Sequence, residues 1–210
     1  MNLSSGFIST TKTARYFTLG ELTANTKEIW IVLHGYAQLA SDFIKPFETI
    51  ASEAHFIIAP EGLNKFYAKG FGGKPAATWM TSEMREEEIV DYINYLNVLC
   101  ESIGVQNHPA KVILLGFSQG VATASRWMHQ TTIPISRFII YSGEIALELQ
   151  NPVSPALLKA LLVYVTGTND RLISPEKLES VKLLMGRLNA TLIEFDGGHE
   201  VKEDVLSRLV

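Results

Sequence analysis

The sequence predicts an α/β fold in which helices cover both faces of a mostly parallel sheet. Short apolar runs rich in β-branched residues alternate with longer amphipathic stretches, as expected of alternating strands and helices. Several short runs, such as residues 29–33, are almost continuously apolar, as strands buried on both faces are. The 210 residues suit one domain spanning residues 1–210, with no room for a large cap domain.

The apolar pattern predicts six strands and four helices. We expect strands at residues 29–33, 56–59, 111–116, 138–141, 161–165 and 191–195. We expect one helix with Ser41 as its N-cap, and further helices that begin at Thr81 or Ser82, near Val121, and at Ser174-Pro175. The glycine-rich stretch 62–80 is too long for an ordinary connection, so we expect a functional or mobile loop there.

Composition and charge exclude several classes of protein. The formal net charge is −4 and no run of Lys or Arg occurs, which disfavours nucleic-acid binding. The single cysteine, Cys100, excludes an intramolecular disulfide and a Cys-based zinc site, and its apolar surroundings indicate a buried side chain. The first 18 residues lack the pattern of a signal peptide, and no apolar run is long enough to span a membrane. We therefore expect a cytoplasmic protein with no stable membrane insertion.

The strongest chemical signal is the segment Gly116-Phe117-Ser118-Gln119-Gly120, which lies between a predicted buried strand and a predicted helix. A serine on such a tight strand-to-helix turn has a strained backbone and an outward-facing hydroxyl, and the flanking glycines let neighbouring elements approach closely. The first amides of the helix lie beside a developing negative charge. We interpret Ser118 as a nucleophile.

A serine hydroxyl needs a general base and an acid that orients the base. On this scaffold the chain order is serine, acid, histidine. His199 is the one histidine beyond the helix that follows Ser118, and it comes just after the last predicted strand. We therefore predict that His199 is the base.

Two aspartates compete for the role of the acid. Asp170 follows the strand before the one that leads to His199, so it belongs to the same edge of the sheet. Asp196 is only three residues from His199 and would need a sharp chain reversal to reach the ring nitrogen that faces away from the serine. We prefer Asp170, which would fix the tautomer of the imidazole and stabilise its charged form.

An oxyanion produced at Ser118 needs two backbone N–H donors. One is expected at Gln119, the residue after the nucleophile, and the other in the loop His34-Gly35-Tyr36 that follows an early strand. Gly35 permits a close approach of this loop. We expect His34 to pack and form hydrogen bonds that hold the loop rather than to act as a base.

These motifs resemble the phospholipase/carboxylesterase family of α/β-hydrolases, which includes bacterial carboxylesterases and acyl-protein thioesterases. The resemblance rests on Leu33-His34-Gly35, Gly116-Phe117-Ser118-Gln119-Gly120, the Gly-x-x-Asp ending at Asp170 and the Gly-Gly-His ending at His199, and it runs from about Ile29 to the C-terminus. It implies the α/β-hydrolase fold, the triad Ser118, Asp170 and His199, an oxyanion hole formed by the amides of Tyr36 and Gln119, and Trp79 near the acyl group.

Two segments depart from the family pattern. Tyr36-Ala37-Gln38-Leu39-Ala40 replaces the usual stretch rich in glycine and aspartate, and Met80-Thr81 replaces an aromatic residue and an acid. Both segments belong to the region that lines the substrate in the family. The substrate preference is therefore left open, while the triad motifs are intact.

The loop 62–80 also carries an unusual number of aromatic side chains: Phe66, Tyr67, Phe71 and Trp79. They either line an acyl pocket, with Phe71 and Trp79 binding substrate, or fix the long loop to the body of the protein. The residues alone do not decide between these alternatives.

The sequence thus predicts a serine hydrolase that cleaves carboxylic esters, as a carboxylesterase or lysophospholipase does, through an acyl-Ser118 intermediate and without a metal or organic cofactor. Alternatives are an acyl-thioesterase, a dienelactone-type hydrolase or a peptidase on the same scaffold, and a binding protein without catalysis. The expected partner is a small-molecule ester or thioester. An apolar surface could serve this substrate or a second copy in a homodimer.

Overall fold

A computed structural model describes residues 3–70 and 72–210. The strands are β1 (Tyr16–Leu19), β2 (Glu28–Leu33), β3 (His55–Pro60), β4 (Asn64–Tyr67), β5 (Pro75–Thr78), β6 (Lys111–Phe117), β7 (Ile135–Tyr141), β8 (Leu161–Gly167) and β9 (Thr191–Phe195). The main sheet has seven strands in the order β1-β3-β2-β6-β7-β8-β9, and β4 and β5 form a separate hairpin. β1 pairs antiparallel with β3, and all other neighbours in the main sheet are parallel.

Helices cover both faces of the main sheet. The α-helices are α1 (Ala40–Phe43), α2 (Arg85–Ile103), α3 (Gln119–Gln130), α4 (Pro175–Arg187) and α5 (Glu203–Leu206). One apolar cluster joins the sheet to α2, α3 and α4, and a second joins its opposite face to α1 and α5. Short 3₁₀ turns lie at Lys45–Thr49, Val105–Asn107, Leu147–Leu149 and Leu157–Lys159.

The central strand β2 shows why the sequence forms this sheet. Ile29 and Ile31 enter one apolar cluster, whereas Trp30 and Val32 enter the other. Both faces of the strand are thus buried, as its continuous apolar run predicts. The predicted α/β fold with a mostly parallel sheet is confirmed. No helix in the part of the chain described by the structure is long and apolar enough to cross a membrane.

Three local predictions were inaccurate. The stretch 62–80 contains the hairpin β4–β5 rather than loop alone. The helix expected at Thr81 or Ser82 begins at Arg85, because Met84 has a left-handed backbone with φ 49° that no regular helix accommodates. The helix expected to have Ser41 as its N-cap has Leu39 in that position, begins at Ala40 and gives way to a 3₁₀ turn that contains Pro46.

The start of α1 differs from the prediction for a tertiary reason. The N-cap position is Leu39, which provides no side-chain cap, and the N–H of Ala40 donates to Glu61 Oε2 at 3.0 Å. A carboxylate from the end of β3 therefore satisfies an amide that a local cap would otherwise satisfy. By contrast, Ser174 caps α4 as expected, since its hydroxyl accepts from the N–H of Lys177.

Candidate active site

The predicted site residues gather at the carboxyl edge of the sheet. Ser118 follows β6, Asp170 follows β8, and His199 lies in the loop after β9. These three strands run parallel in the sheet, so the loops that follow them meet at one edge. Three residues that are far apart in the sequence are thus placed at the same edge of the sheet by the short loops that follow the strands.

Ser118 has a strained backbone at a tight turn. Its φ of 54° and ψ of −119° lie outside the regions that non-glycine residues usually occupy. Such strain costs on the order of 1–3 kcal/mol and persists only where the surroundings enforce it. Here the flanking glycines allow close packing: a Cβ on Gly116 would lie 2.6 Å from Val121 Cα, and one on Gly120 would collide with the carbonyl oxygen of Leu33.

His199 is hydrogen-bonded to Asp170. His199 Nδ1 lies 2.7 Å from Asp170 Oδ2, and the Asp170 side chain is only 2% exposed. The other carboxylate oxygen, Oδ1, accepts from the N–H of Leu172 at 2.9 Å. Because a carboxylate only accepts hydrogen bonds, Nδ1 carries the proton and Nε2 is the nitrogen that can accept one.

The alternative acid, Asp196, has a different partner. Its Oδ1 accepts from Asn169 Nδ2 at 3.0 Å. In addition, the N–H of Asn169 donates to the carbonyl of Gly197 at 2.9 Å, so the loop carrying Asp170 is bound to the loop carrying His199. Asp196 therefore helps to hold the two loops together, and Asp170 is the carboxylate that meets the imidazole.

The imidazole also packs next to the turn that carries Ser118. The ring centroids of His199 and Phe117 are 4.8 Å apart, and Phe117 directly precedes Ser118. Within residues 3–70 and 72–210, no hydrogen bond joins the Ser118 hydroxyl to the His199 ring. Hydrogen bonds between nucleophile and base are often long in unliganded sites and shorten when substrate binds.

The loop formed by residues 34–40, here called the oxyanion loop, lies directly against Ser118. A Cβ on Gly35 would lie 3.1 Å from Ser118 Cβ, so only glycine fits easily at this position. The N–H groups of Tyr36 and Gln119 have no acceptor among the described residues. They are therefore available to an oxygen atom near Ser118, and the N-terminal end of α3 adds its positive dipole.

His34 is buried beneath the oxyanion loop and holds it. Its Nε2 accepts from the N–H of Gly62 at 2.9 Å, and its Nδ1 lies 2.7 Å from the carbonyl oxygen of Gly35, to which it donates. Burial lowers the pKa of His34 to about 4, which keeps the ring neutral. Both ring nitrogens are engaged in these hydrogen bonds, so neither is free to act as a general base. This agrees with the expectation that His34 supports the loop.

Trp79 belongs to the same buried cluster. Its indole N–H donates to the carbonyl of His34 at 2.8 Å, its ring stacks on His34 at 5.0 Å, and the side chain is 1% exposed. The structure thus places Trp79 behind the oxyanion loop, and a direct part in substrate binding stays a prediction. Phe71, the other residue predicted to bind substrate, lies outside the described residues.

Two contributions to the site were not foreseen from the sequence. The side-chain oxygen of Gln119 accepts from the hydroxyl of Thr78 at 3.0 Å, and its Nε2 donates to the carbonyl of Met80 at 2.9 Å. The second is Glu61, whose carboxylate caps α1. The sequence did contain one signal for Glu61. It is a charged residue directly after a continuously apolar strand, and a carboxylate buried at such a position needs hydrogen-bond or ion-pair partners.

A cavity of about 420 Å³ adjoins the imidazole. Apolar side chains form much of its wall, and charged groups lie at Asp42, Lys74 and Glu200. Its lining comes from the oxyanion loop, α1 and the turn after it, the β4–β5 hairpin and the loop 199–201, and includes Leu39, Phe43, Pro46, Ala68, Ala76, His199 and Val201. A ligand in this cavity would therefore contact His199. Among the described residues, no cluster of His, Cys, Asp or Glu side chains could hold a metal ion.

This sheet, with a serine on a strained turn after β6 and a histidine in the loop after the last strand, defines an α/β-hydrolase of the serine hydrolase class. The chain belongs to the serine hydrolase (FSH1) family, whose model matches residues 25–204. That family bears a different name from the one the motifs resemble, but the relationship to serine hydrolases of α/β-hydrolase fold is confirmed. No curated protein gives a significant match.

Solved structures show the same fold. Acyl-protein thioesterase 2 from Zea mays is 18% identical with a TM-score of 0.70, and the alignment covers 94% of this chain and 96% of that one. Esterase PE8 is 20% identical with a TM-score of 0.70 and the same coverages, 94% and 96%. The carboxylesterase of Bacillus cereus is 17% identical with a TM-score of 0.64, covering 93% of this chain and 91% of that one.

Proposed function

We propose that the protein is a serine esterase that hydrolyses carboxylic esters of small molecules through an acyl-Ser118 intermediate. The observation that carries this proposal is the 2.7 Å hydrogen bond between His199 Nδ1 and Asp170 Oδ2 beside the strained turn of Ser118. That hydrogen bond directs Nε2 of the imidazole, its proton-accepting nitrogen, away from Asp170. A structural histidine would not need a buried carboxylate on one nitrogen and an open position on the other.

In acylation, Ser118 Oγ attacks the ester carbonyl while its proton passes to His199 Nε2. The C=O electron pair moves onto oxygen, and the amides of Tyr36 and Gln119 donate to this oxyanion. When the tetrahedral intermediate breaks down, the C–O bond to the alcohol cleaves and His199 returns the proton to the departing oxygen. Asp170 stabilises the imidazolium in between and does not take its proton.

Deacylation repeats these steps with water as the nucleophile. His199 Nε2 removes a proton from water, the hydroxide oxygen attacks the acyl carbonyl, and the same two amides stabilise the second oxyanion. Cleavage of the acyl bond to Ser118 then releases the carboxylic acid, and the proton on His199 restores the serine hydroxyl. The whole cycle consumes one water and needs no cofactor.

The cavity beside His199 suits the alcohol part of the ester. The proton that completes acylation must pass from Nε2 to the departing oxygen, so the leaving group lies on the side of Ser118 next to the imidazole. The cavity is lined by His199 and by apolar side chains such as Leu39 and Phe43. We therefore assign the alcohol to this cavity and expect an alcohol of moderate size whose apolar part packs against these side chains.

Labelling with a fluorophosphonate probe tests the proposed chemistry directly. The wild-type protein should form a covalent adduct at Ser118, and Ser118→Ala should form none while remaining folded by circular dichroism. Ser125→Ala is a matched control, because this serine lies on α3 with its hydroxyl bound to the carbonyl of Ala122. Equal labelling of wild type and Ser118→Ala, or no labelling of a folded wild type, would exclude the mechanism.

Kinetics with two substrate series define the class of ester. One series lengthens the acyl chain of p-nitrophenyl esters, and an acyl thioester of matched chain length is measured beside it. A higher kcat/KM for the thioester would favour the thioesterase alternative, and cleavage of a lactone alone would favour a dienelactone-type hydrolase. Labelling at Ser118 without turnover of any ester or thioester would exclude the esterase assignment.

A further inference from the structure

Glu61 is a buried carboxylate outside the triad, and it has four hydrogen-bond or ion-pair donors. Its side chain is 0% exposed. Arg15 Nε and Nη2 donate to Oε1 at 3.0 and 2.7 Å, Lys65 Nζ lies 3.1 Å from Oε1, and the N–H of Ala40 donates to Oε2 at 3.0 Å. Burial alone would raise the pKa of Glu61, but the hydrogen bonds from Arg15 and Lys65 lower it, so the group is ionised.

Glu61 and its neighbour Gly62 bind the two ends of the oxyanion loop. At the first end, the N–H of Gly62 donates to His34 Nε2 at 2.9 Å. At the other end, Glu61 Oε2 accepts from the N–H of Ala40. Two consecutive residues after β3 therefore fix both ends of the segment that contains the amide of Tyr36.

Gly62 has little freedom to move. A Cβ at this position would lie 2.6 Å from the carbonyl oxygen of Thr78, so the backbone of residue 62 is pressed against the end of β5. The backbone N–H of Glu61 donates to the carbonyl of Arg15 at 3.0 Å. Glu61 and Gly62 are thus fixed by their contacts with Arg15 and Thr78, and the oxyanion loop is attached to a rigid part of the backbone.

We propose that Glu61 is a positioning residue for catalysis, which sets the oxyanion loop by accepting the Ala40 amide and is itself held in place by Arg15 and Lys65. This inference rests on the proposed function, because it assigns a role within the oxyanion hole. Arg15 precedes the family-matched residues 25–204. The segment before β1 therefore contributes to the active site through Glu61 without touching substrate.

Glu61 should affect turnover because an oxyanion hole tolerates only small displacements of its N–H donors. Removing one of its donors typically lowers turnover about 10²–10³-fold. A displacement of about 1 Å of a positioned group can cost about 10²-fold. The Tyr36 amide is separated from Ala40 by only a few residues. Loss of the hydrogen bond to the Ala40 amide should therefore let the Tyr36 N–H shift away from the position at which it donates to the oxyanion.

The test compares Glu61→Ala with Glu61→Gln. The Gln side chain keeps one oxygen that can accept from the Ala40 amide, although its NH2 group then faces the donors of Arg15 and Lys65, whereas Ala has no acceptor at all. We expect Glu61→Ala to lower kcat about 10–100-fold with KM changed less than about threefold, and Glu61→Gln to lower kcat clearly less than Glu61→Ala does. An alkyl trifluoromethyl ketone, whose adduct places an oxyanion between the two amides, should lose affinity in parallel with kcat.

Glu28→Ala is the matched control. Glu28 also accepts hydrogen bonds from an arginine and one further group, Arg137 and the indole of Trp30, but it lies at the start of β2 on the opposite edge of the sheet. This variant should lose stability without a selective loss of kcat or of ketone affinity. Equal losses in Glu61→Ala and Glu28→Ala would reduce Glu61 to a structural role and overturn the inference.

Hydrogen exchange of backbone amides gives a readout that does not depend on activity. The Ala40 amide should exchange about tenfold or more faster in Glu61→Ala than in wild type, with Glu61→Gln close to wild type. The Thr131 amide at the far end of α3, which donates to the carbonyl of Trp127 at 2.8 Å, is a reference outside the oxyanion loop. Unchanged exchange at Ala40 in a protein whose Ser118 is labelled would overturn this inference and leave the proposed function standing. A folded wild type without labelling would instead overturn the proposed function, on which the inference rests.

Discussion

The ring of His199 lies 4.8 Å from the ring of Phe117, the residue immediately before Ser118. The strand that leads to Ser118 therefore also supports the imidazole. Phe117 is nearly fully buried and contacts Tyr141 and Phe43 through ring pairs at 5.8 and 6.0 Å. The position of the imidazole is thus defined by Asp170 on one nitrogen and by the tilted ring of Phe117 packed against it.

Phe117→Leu should lower kcat about tenfold with little change in KM, because the imidazole loses its support while the triad groups remain. Phe47→Leu is the control, since Phe47 is buried in the same apolar cluster and pairs with Phe43 at 5.4 Å. Both variants should lose about 1–2 kcal/mol of stability from the smaller side chain. Steady-state kinetics and urea unfolding measure the two effects, and equal kcat values in both variants would contradict the role of Phe117.

Asp170→Asn should lower kcat about 10⁴-fold, because the amide can donate to the imidazole and favour the wrong tautomer. Asp196→Asn should change kcat less than about tenfold, since Asp196 accepts from Asn169 and does not meet the imidazole. Esterase assays on both purified variants test this difference. A larger loss in Asp196→Asn than in Asp170→Asn would reverse the assignment of the acid.

Gly35→Ala should lower kcat about 10–100-fold and reduce stability, because its Cβ would lie 3.1 Å from both Ser118 Cβ and the Phe117 ring. Gly186→Ala is the matched control in α4, where the added Cβ meets nothing within 4 Å. That control should gain about 0.5–1 kcal/mol, since alanine suits a helix better than glycine. Kinetics and thermal unfolding of the two variants provide the measurement, and normal turnover in Gly35→Ala would contradict the close packing of the loop.

Much of this site could be predicted from the sequence, because the relevant signals are local. Glycine spacing marks the turn of Ser118, and apolar runs mark the strands whose ends carry Asp170 and His199. Since parallel strands bring their carboxyl ends to one edge, the strand order along the chain already predicts which loops meet. The preference for Asp170 over Asp196 followed from the same argument.

The parts that were missed depend on contacts between distant segments. No local pattern shows that the side chain of Gln119 would bind the backbone of residues 78–80, or that Glu61 would cap α1. The hairpin β4–β5 was read as a loop because glycines and short runs obscure its alternation. Trp79 was expected near substrate from the resemblance, whereas its burial depends on His34, 45 residues earlier.

Ala68→Trp should narrow the cavity beside His199 from the side of the hairpin. If the cavity holds the alcohol, kcat/KM for acetate esters of large alcohols should fall about tenfold relative to methyl acetate, while the dependence on acyl length stays unchanged. Ala24→Trp is the control, because Ala24 is also exposed but lies in a turn between β1 and β2. A changed dependence on acyl length with an unchanged dependence on the alcohol would assign the cavity to the acyl group instead.

His34 should make the stability of the protein depend on pH in a defined window. Burial lowers its pKa from 6.5 to about 4, so between these pH values the unfolded chain binds a proton that the folded protein does not. The free energy of unfolding should therefore fall as pH falls from 6.5 towards 4, by on the order of 3 kcal/mol from this residue.

His34→Gln removes the titrating ring, while the side-chain oxygen of the glutamine can still accept from the Gly62 amide. Urea unfolding at several pH values between about 7 and 4 measures the free energy of unfolding of both proteins. The difference between the two pH profiles isolates the effect of His34 from that of the carboxylates that titrate in the same range. Parallel pH profiles for wild type and His34→Gln would show that the ring is not kept neutral by burial.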